Sequence, residues 1–334
     1  MNRDFGGKLL RSVSRSFYLT IAILPSHLRI PIGTAYLLAR ASDTIADTVA
    51  IPAAERLRYL QSFRAAVLGK REVLISEIRG KIVPHDPSEL RLVNRIGDCL
   101  DLLGRQPEQD RQLIRNVVDI ITGGQIFDIE RFSSGEAVCS LETVEDLHKY
   151  TWMVAGCVGE FWSHICLNHD ANCARLSRER LVRLGVNFGK GLQLVNILRD
   201  APADLRAGRC YLPSVQLNAA GIEPAELVEH PERARRVAES WRRIAVRHLG
   251  DGAYYIMAMR PLRLRLACFL PWYLGLRTLE MLAKRPSLES PGRVKVGRQE
   301  VRVLLALAPL AVCSNFFIRR LHDTLTRNSY RPVG

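Results

Sequence analysis

The sequence predicts an all-α protein, and three observations support this prediction. Apolar residues recur at helical spacing along almost the whole chain. No stretch shows the strict apolar and polar alternation, bounded by hairpin turns, that is typical of strands. Hydrophobic residues make up 47% of the 334 residues, enough to fill a substantial core, and glycine and proline are too few for a collagenous or low-complexity chain. No sheet is therefore expected.

Glycine and proline residues divide this periodicity into successive helical segments. The separating residues include Pro84 with Pro87, Gly104 with Pro107, and Gly208 with Pro213. The helices are expected near residues 30–46, 53–79, 88–103, 108–131, 143–167, 175–201, 223–249, 251–283 and 298–328. None of the breaks is a long linker rich in glycine, serine or proline, so a single all-helical domain is expected over residues 1–334.

Neither a membrane span nor a secretory signal is expected. The longest uncharged runs, Val303–Ile318 and Leu266–Leu276, contain proline and fall short of the ~20 residues that cross a bilayer. The first residues lack an apolar segment followed by a small-residue cleavage site. We therefore expect a cytoplasmic protein, with peripheral contact at the inner face of the membrane.

The charge of the chain indicates an anionic partner. Its formal net charge is +14, which attracts nucleic acid, an anionic bilayer or a phosphorylated substrate. Six arginines at positions 233–247 are mixed with Glu232 and Glu239 at helical spacing, which indicates a solvated helix face. No helix-turn-helix with a basic recognition helix is evident. We therefore expect no nucleic acid partner, and peripheral membrane contact through basic and apolar surface. The eight cysteines form no CxxC pair, which argues against zinc and disulfides.

Two polar helix faces carry the functional argument. Tyr36, Arg40, Asp43 and Asp47 are spaced 4, 3 and 4 residues apart, which places them on one face of a helix. This motif ends in two aspartates four residues apart (DxxxD). The leucine, isoleucine and alanine residues between its polar members supply apolar surface.

The second face contains Gln193, Asn196, Asp200 and Asp204, spaced 3, 4 and 4 residues apart. Pro202 lies within this motif, and because proline disrupts a helix interior we expect it to kink or end the helix just after Asp200.

Like charges four residues apart on a helix repel each other, so each pair of aspartates calls for a nearby cation. A solvated acidic pair neutralised by a nearby arginine would satisfy this requirement and is the simpler interpretation of a single motif. Two copies, each with polar residues one and two turns upstream, favour a metal site instead. Oxygen ligands without histidine or cysteine fit Mg²⁺, which also leaves positions for water and phosphate oxygens. Basic side chains could assist a diphosphate there, and the candidates are Arg15, Arg40, Arg199, Arg209, Lys295 and Arg298.

Several ordered segments resemble the squalene and phytoene synthase family of head-to-head prenyl transferases. The resemblance covers residues of about 11–328 and includes weaker matches in GGQIFDI (residues 123–129) and RVKVGRQEVRVLL (residues 293–305). Its main segments are SRSFYLTIAILP (14–25), YLLARASDTIAD (36–47), YTWMVAGCVGEF (150–161) and QLVNILRDAPADLRAGRCYLP (193–213).

The resemblance implies a single-domain isoprenoid synthase bundle around a central apolar cavity. It implies Mg²⁺ ligands at Asp43, Asp47, Asn196, Asp200 and Asp204. It also implies a proton-transfer role for Tyr150; the alternative is that this side chain only packs in the core. These four aspartates and Tyr150 are the expected catalytic residues. The expected substrate-binding residues are Arg15, Ser16, Phe17, Tyr36, Arg40, Phe127, Val154, Gly156, Cys157, Gln193, Leu194, Asn196, Arg199, Arg209, Lys295 and Arg298.

The resemblance is strongest to bacterial squalene synthases, which implies two farnesyl diphosphates as substrate, Mg²⁺, and NADPH as reductant. Phytoene, dehydrosqualene and presqualene diphosphate synthases remain alternatives on the same scaffold. Phe127, Val154, Cys157 and Leu194 lie one or two turns from the aspartates and are expected to set the depth of the cavity. No GxGxxG follows a predicted strand, so the sequence does not indicate where NADPH would bind, nor does it indicate an oligomeric state.

Overall fold

The structure is a computed structural model that describes residues 9–13, 17–70, 74–133, 138–284 and 294–330. Two of the predicted substrate-binding residues, Arg15 and Ser16, lie outside the described residues, and only the backbone of Phe17 is described. Contacts along the chain define two compact units. The first takes the described residues up to Ser133 together with His164–Ala171, and the second takes residues 138–163 and 172–330.

The first unit is built on two long helices that pack against each other. Apolar side chains such as Leu38, Phe63 and Val118 are fully buried in its core. Its helices are α1 (Phe17–Ala22), α2 (Ser26–Asp47), α3 (Ala53–Val67), α4 (Ile75–Lys81), α5 (Pro87–Asn94), α6 (Ile96–Gly104) and α7 (Glu108–Phe132). Helices α2 and α3 both pack against α7.

The second unit contains the longest helix of the described chain and the segments that surround it. In chain order its elements are β1 (Cys139–Ser140), α8 (Val144–Thr151), a π-helical turn (Trp152–Gly156), α9 (Cys157–His169), α10 (Arg178–Arg206), β2 (Arg209–Cys210), α11 (Ser214–Ala219), 3₁₀ turns at Pro224–Val228 and Pro231–Ala234, α12 (Arg235–Ala258), α13 (Leu262–Ala283), α14 (Arg298–Ala311) and α15 (Asn315–Tyr330). The last six residues of α9 are counted with the first unit. Helix α10 packs along α12, and α14 and α15 both pack on α13. Trp241, Tyr255 and Trp272 are buried in this core.

Most predicted helices are present, but several boundaries differ. The segment predicted at 88–103 is divided at Arg95, and the segment predicted at 223–249 becomes α-helical only from Arg235. The segment predicted at 53–79 is interrupted at Gly69, whose φ of 85° ends α3 in a conformation that glycine favours. The segment predicted at 298–328 is broken by a turn at residues 312–314. The boundary expected near Gly250 is wrong, because α12 continues to Ala258 and the chain turns before Pro261.

The expectation that no sheet forms is wrong in one detail. β1 and β2 form a parallel ladder two residues long, with Cys139 opposite Arg209 and Ser140 opposite Cys210. Strands of two residues are too short to produce an alternating pattern, so periodicity could not reveal them. The ladder positions Arg209 three residues after the end of α10, the helix that contains Asp200 and Asp204.

The predicted fold class is confirmed: apart from this ladder and one isolated bridge, the described regular structure is helical. Across the ranges described, none of the helices combines the length and apolarity needed to span a membrane. The assignment of residues 1–334 to a single domain stays a prediction.

Candidate active site

The first aspartate motif lies on α2, in the first unit. Leu37, Ala41 and Ile45 are buried on the inner side of this helix. Tyr36, Arg40 and Asp43 are half-buried, and Asp47, at the last residue of the helix, is exposed. The four side chains therefore share the one helix face that the 4, 3, 4 spacing predicts, opposite the buried apolar residues.

Polar side chains from two other helices contact this motif. Gln125 of α7 donates its Nε2 to Oδ1 of Asp43 at 2.5 Å. Arg40 lies 3.6 Å from Oδ2 of Asp43 and also pairs with Glu89 of α5. Sequence reasoning identified neither Gln125 nor Glu89. Gln125 lies within GGQIFDI, a segment that carries the family resemblance, whereas no sequence signal marks Glu89.

The charge of Asp43 is only partly compensated. The surrounding protein atoms, and then the negative charge of Asp47, raise the pKa of the Asp43 carboxyl to about 6, although Arg40 and Gln125 act in the opposite direction. The side chain nevertheless remains 43% exposed, so solvent and ions reach it. Two adjacent, accessible carboxylates in this state are suited to binding a cation.

The second motif lies on α10, in the second unit, and here each aspartate pairs with an arginine. Arg199 donates to both carboxylate oxygens of Asp200, at 2.9 and 2.5 Å. Arg209 of β2 donates to Asp204 at 2.9 Å. The alternative that the sequence left open, an acidic pair neutralised by arginine, is thus present in this geometry. Upstream on the same face, exposed Asn196 donates to Gln193 at 3.4 Å.

Pro202 does not end this helix as expected, since α10 continues to Arg206. Proline has no N–H, so it removes one helical hydrogen bond, to the carbonyl of Leu198. The following turn is still closed, because the N–H of Ala207 bonds to the carbonyls of Ala203 and Asp204. The helix therefore carries Asp204 on a helical turn beyond the proline.

Tyr150, at the end of α8, stacks on another tyrosine. Its ring lies 5.0 Å from that of Tyr211, tilted by 22°, and the two hydroxyl oxygens are 3.5 Å apart. Both side chains are buried. Tyr211 belongs to the GRCYLP segment but was not predicted as a site residue. The pair places two phenols in contact within the unit that carries the second aspartate motif.

The predicted cavity residues Val154, Gly156 and Cys157 lie at the junction of the π-helical turn and α9. Such a turn often occurs at functional sites. Val154 is half-buried, and a Cβ added to Gly156 would lie 3.0 Å from Trp152 and 3.1 Å from Lys190. Burial raises the pKa of the Cys157 thiol to about 12, so this thiol stays protonated at neutral pH.

The remaining predicted residues differ in exposure. Leu194 of α10 is buried and Phe127 of α7 is half-buried, and their role in setting the depth of a cavity stays a prediction. Lys295 and Arg298 are exposed, immediately before and at the start of α14. Beside the second motif lies a small apolar depression, lined by residues that include Leu198, Asp204, Arg209 and Tyr211.

The oxygen ligands of the first aspartate pair are of the kind that binds a magnesium ion. The first pair offers carboxylate oxygens that solvent reaches and that repel each other. In the residues that the structure describes, no three histidine, cysteine or acidic side chains lie together as a metal cage. This geometry fits Mg²⁺, which binds one or two carboxylates and takes its other ligands from water and phosphate.

Comparison with known proteins identifies the family. A sequence profile described as "Squalene/phytoene synthase" matches residues 10–300. The chain belongs to the squalene/phytoene synthase family. Members of this family are prenyltransferases, and the chain is an enzyme of that class.

Individual relatives are similar over different lengths. A squalene synthase of Schizosaccharomyces pombe is 24% identical over 96% of this chain, which spans 68% of that protein. A bifunctional lycopene cyclase/phytoene synthase of Gibberella fujikuroi is 29% identical over 67% of this chain, which spans only 37% of that protein. The solved complex of TcSQS with the ligand BPH1237 has the same fold, with a TM-score of 0.76 at 19% identity over 97% of both chains.

Proposed function

We propose that this chain is a squalene synthase, which joins two farnesyl diphosphates head to head through presqualene diphosphate and then reduces the product with NADPH. The observation that carries the proposal is the Asp43–Asp47 pair on α2. Both carboxylates are accessible, and the charge of Asp47 helps to raise the pKa of Asp43 although Arg40, which Glu89 also binds, lies beside it. A prenyl transferase needs such a pair to bind a cation, because the diphosphate leaving group is highly charged.

In this proposal Asp43 and Asp47, and separately Asp200 and Asp204 with Asn196, hold magnesium. Magnesium held by these residues would neutralise the charge of the diphosphate and so favour its departure. Arg199 and Arg209 are already placed beside the second pair, at 2.5 Å from Asp200 and 2.9 Å from Asp204. Once their carboxylates bind metal, these guanidinium groups are available to diphosphate oxygens, which match their planar donors.

Tyr150 takes the role of moving a proton. Formation of the cyclopropane of presqualene diphosphate releases one diphosphate and one proton from the two substrates. The Tyr150 hydroxyl lies in a buried environment 3.5 Å from that of Tyr211, so two phenols are available to pass this proton to the departing diphosphate. Release of the second diphosphate and addition of a hydride from NADPH then give squalene and NADP⁺.

The choice of squalene over phytoene rests on two observations. The alignment with the yeast squalene synthase extends over nearly the whole chain, whereas that with the phytoene-forming relative covers about two thirds of it. The residues expected to set chain length, Phe127, Val154, Cys157 and Leu194, are buried or half-buried. Accommodating five more carbons per substrate against packed side chains of this kind would cost about 1 to 3 kcal/mol for overpacking.

The test is product identification with purified protein and Mg²⁺. Farnesyl or geranylgeranyl diphosphate is supplied with and without NADPH, and products are identified by mass spectrometry. We expect squalene from farnesyl diphosphate with NADPH, and presqualene diphosphate or an unreduced hydrocarbon without it. Faster turnover of geranylgeranyl diphosphate, or products that do not change with NADPH, would contradict the squalene assignment while leaving the family assignment intact.

A further inference from the structure

The outer face of α14 is apolar although it is exposed. Val303, Leu307 and Leu310 follow one another at intervals of four and three residues, so they lie along one stripe of the helix. Their exposed fractions are 52%, 54% and 71%. Leu304 and Ala308, on the other side of the same helix, are buried. Helix α14 therefore has two apolar faces, and only one of them is covered by the rest of the second unit.

The apolar surface continues past the turn that follows α14. Phe316 and Phe317, in the first turn of α15, are 66% and 59% exposed, whereas the next residue, Ile318, is fully buried. The two phenyl rings contact each other edge to face, with their centroids 6.3 Å apart. We call the exposed side chains of Val303, Leu307, Leu310, Phe316 and Phe317 the α14–α15 patch.

The charge around this patch is mainly positive. Arg302 precedes it, and Arg319 and Arg320 follow it, and all three are exposed. Residues 301–322 contain no aspartate or glutamate. The nearest preceding acid, Glu300, is engaged by Arg277 and Tyr273 of α13. The patch is thus an apolar surface bordered by three arginines. The acid that follows them, Asp323, contacts His322 and leaves this border net positive.

We propose that the α14–α15 patch docks on the surface of an anionic lipid bilayer. Exposed leucine and phenylalanine side chains enter the boundary between headgroups and acyl chains, and arginines bind anionic headgroups. A second copy of this chain is a poorer occupant, because it would bring two identical arginine borders together and each chain carries a net charge of +14. The proposal rests on exposure and charge alone and does not depend on which prenyl product is made.

Vesicle flotation tests the proposal with the full chain. The vesicles contain phosphatidylcholine alone or phosphatidylcholine with phosphatidylglycerol, at low and high salt. We expect binding to the anionic vesicles at low salt, weakened by salt because exposed charges are screened. Absence of binding to anionic vesicles at low salt would overturn the proposal.

Two pairs of variants separate the contributions of the patch. Leu310→Ser with Phe316→Ser removes apolar side chains, and Arg319→Glu with Arg320→Glu reverses the border. We expect each pair to weaken vesicle binding about tenfold or more. Matched controls are Val215→Ser with Val228→Ser, both 54% exposed in another part of the second unit, and Arg235→Glu with Arg236→Glu, both exposed on α12. Equal effects of patch and control variants would contradict the assignment of this surface.

A probe on native Cys313 gives a readout that needs no substitution. This thiol is exposed in the turn between Leu310 and Phe316, whereas the other seven cysteines are buried or half-buried. A polarity-sensitive fluorophore attached there should shift to the spectrum of an apolar environment when anionic vesicles are added. An unchanged spectrum together with a dimer in sedimentation would identify a second copy as the occupant and overturn the membrane proposal.

Discussion

The two aspartate motifs compensate their charges in different ways. Two nitrogens of the Arg199 guanidinium, Nε and Nη2, donate to Asp200, and Arg209 donates to Asp204. Asp43 has Gln125, an uncharged donor, and a longer contact of 3.6 Å to Arg40. The charge of Asp47 therefore still raises the pKa of Asp43, and an added cation would relieve this repulsion. We expect magnesium to bind there even when no substrate is present.

Replacement of Asp43 by asparagine tests this role. Asparagine keeps an oxygen that can accept from Gln125 but removes the charge that binds metal, so we expect activity to fall at least about 100-fold. Because the substitution also removes the repulsion from Asp47, the thermal midpoint should not fall. Activity with Mg²⁺ and calorimetry measure the two effects.

The matched control is Asp98→Asn, which changes an exposed aspartate of α6 that pairs with Arg95, the residue just before that helix. We expect it to keep normal activity. Magnesium should also raise the thermal midpoint of the unmodified protein more than that of Asp43→Asn, because a ligand stabilises the folded state it binds. Near-normal turnover in both Asp43→Asn and Asp200→Asn would exclude the metal assignment.

Residue spacing predicted which side chains share a face, but it could not predict their partners. Tyr36, Arg40, Asp43 and Asp47 lie together because helical geometry is local. Gln125 is 82 residues from Asp43 along the chain, Glu89 is 49 from Arg40, and Tyr211 is 61 from Tyr150. Such contacts depend on tertiary packing, which no periodicity records.

At the scale of elements, close helix packing surrounds the π-helical turn. A Cβ on Gly159 would lie 1.9 Å from the carbonyl oxygen of Gly185, and one on Gly189 would lie 2.2 Å from that of Ala155. Helices α9 and α10 therefore approach each other through their backbones. This contact fixes the position of α10, the helix that carries the second aspartate motif.

Helix boundaries were less predictable than helix faces. Gly69 ends a helix through its positive φ. Gly252 lies inside α12, where the helix passes so close to Phe188 that a Cβ would lie 2.7 Å from its ring. The sequence contains the same residue type in both cases. Only the packed neighbour decides whether glycine serves as a break or as space for another side chain.

Gly159→Ala tests the packing between α9 and α10. The added methyl group meets backbone that cannot rotate away, so the two helices must separate, and we expect a loss of about 2 kcal/mol or more in the free energy of unfolding. Gly80→Ala is the control: Gly80 is exposed on α4 and its added Cβ meets nothing within 4 Å. That substitution should stabilise by up to about 1 kcal/mol through helix propensity. Similar changes for the two variants in urea unfolding would contradict the close contact.

At the scale of the whole molecule, an excess of positive charge makes acid conditions unfavourable. The chain carries +14 before any histidine is protonated. The second unit also contains three basic side chains that influence one another: His148 of α8, Lys190 of α10 and His248 of α12. Partial burial lowers the pKa of Lys190, and burial together with the Lys190 charge lowers the pKa of His148. Further protonation in this region opposes folding.

His248 is the most strongly affected member of this cluster. Burial, and then the charges of Lys190, His148 and Arg247, lower its pKa from 6.5 to about 4. The unfolded chain binds this proton near pH 6.5, whereas the folded chain does so only near pH 4. Between these values the unfolded state holds more protons, so stability falls as the pH decreases. The neutral imidazole is thus required for full stability.

We therefore expect the free energy of unfolding to decrease as the pH is lowered from 7 to 4.5, with His248 contributing about 2 kcal/mol of the decrease. His248→Gln removes the titrating group, so its stability should depend less on pH across this interval, even if the variant is less stable at pH 7. His230→Gln, at a histidine whose side chain is 58% exposed, is the control and should follow the unmodified protein. Chemical denaturation at several pH values gives the slope for each protein. If His248→Gln loses stability as steeply as the unmodified chain, another group causes the acid sensitivity.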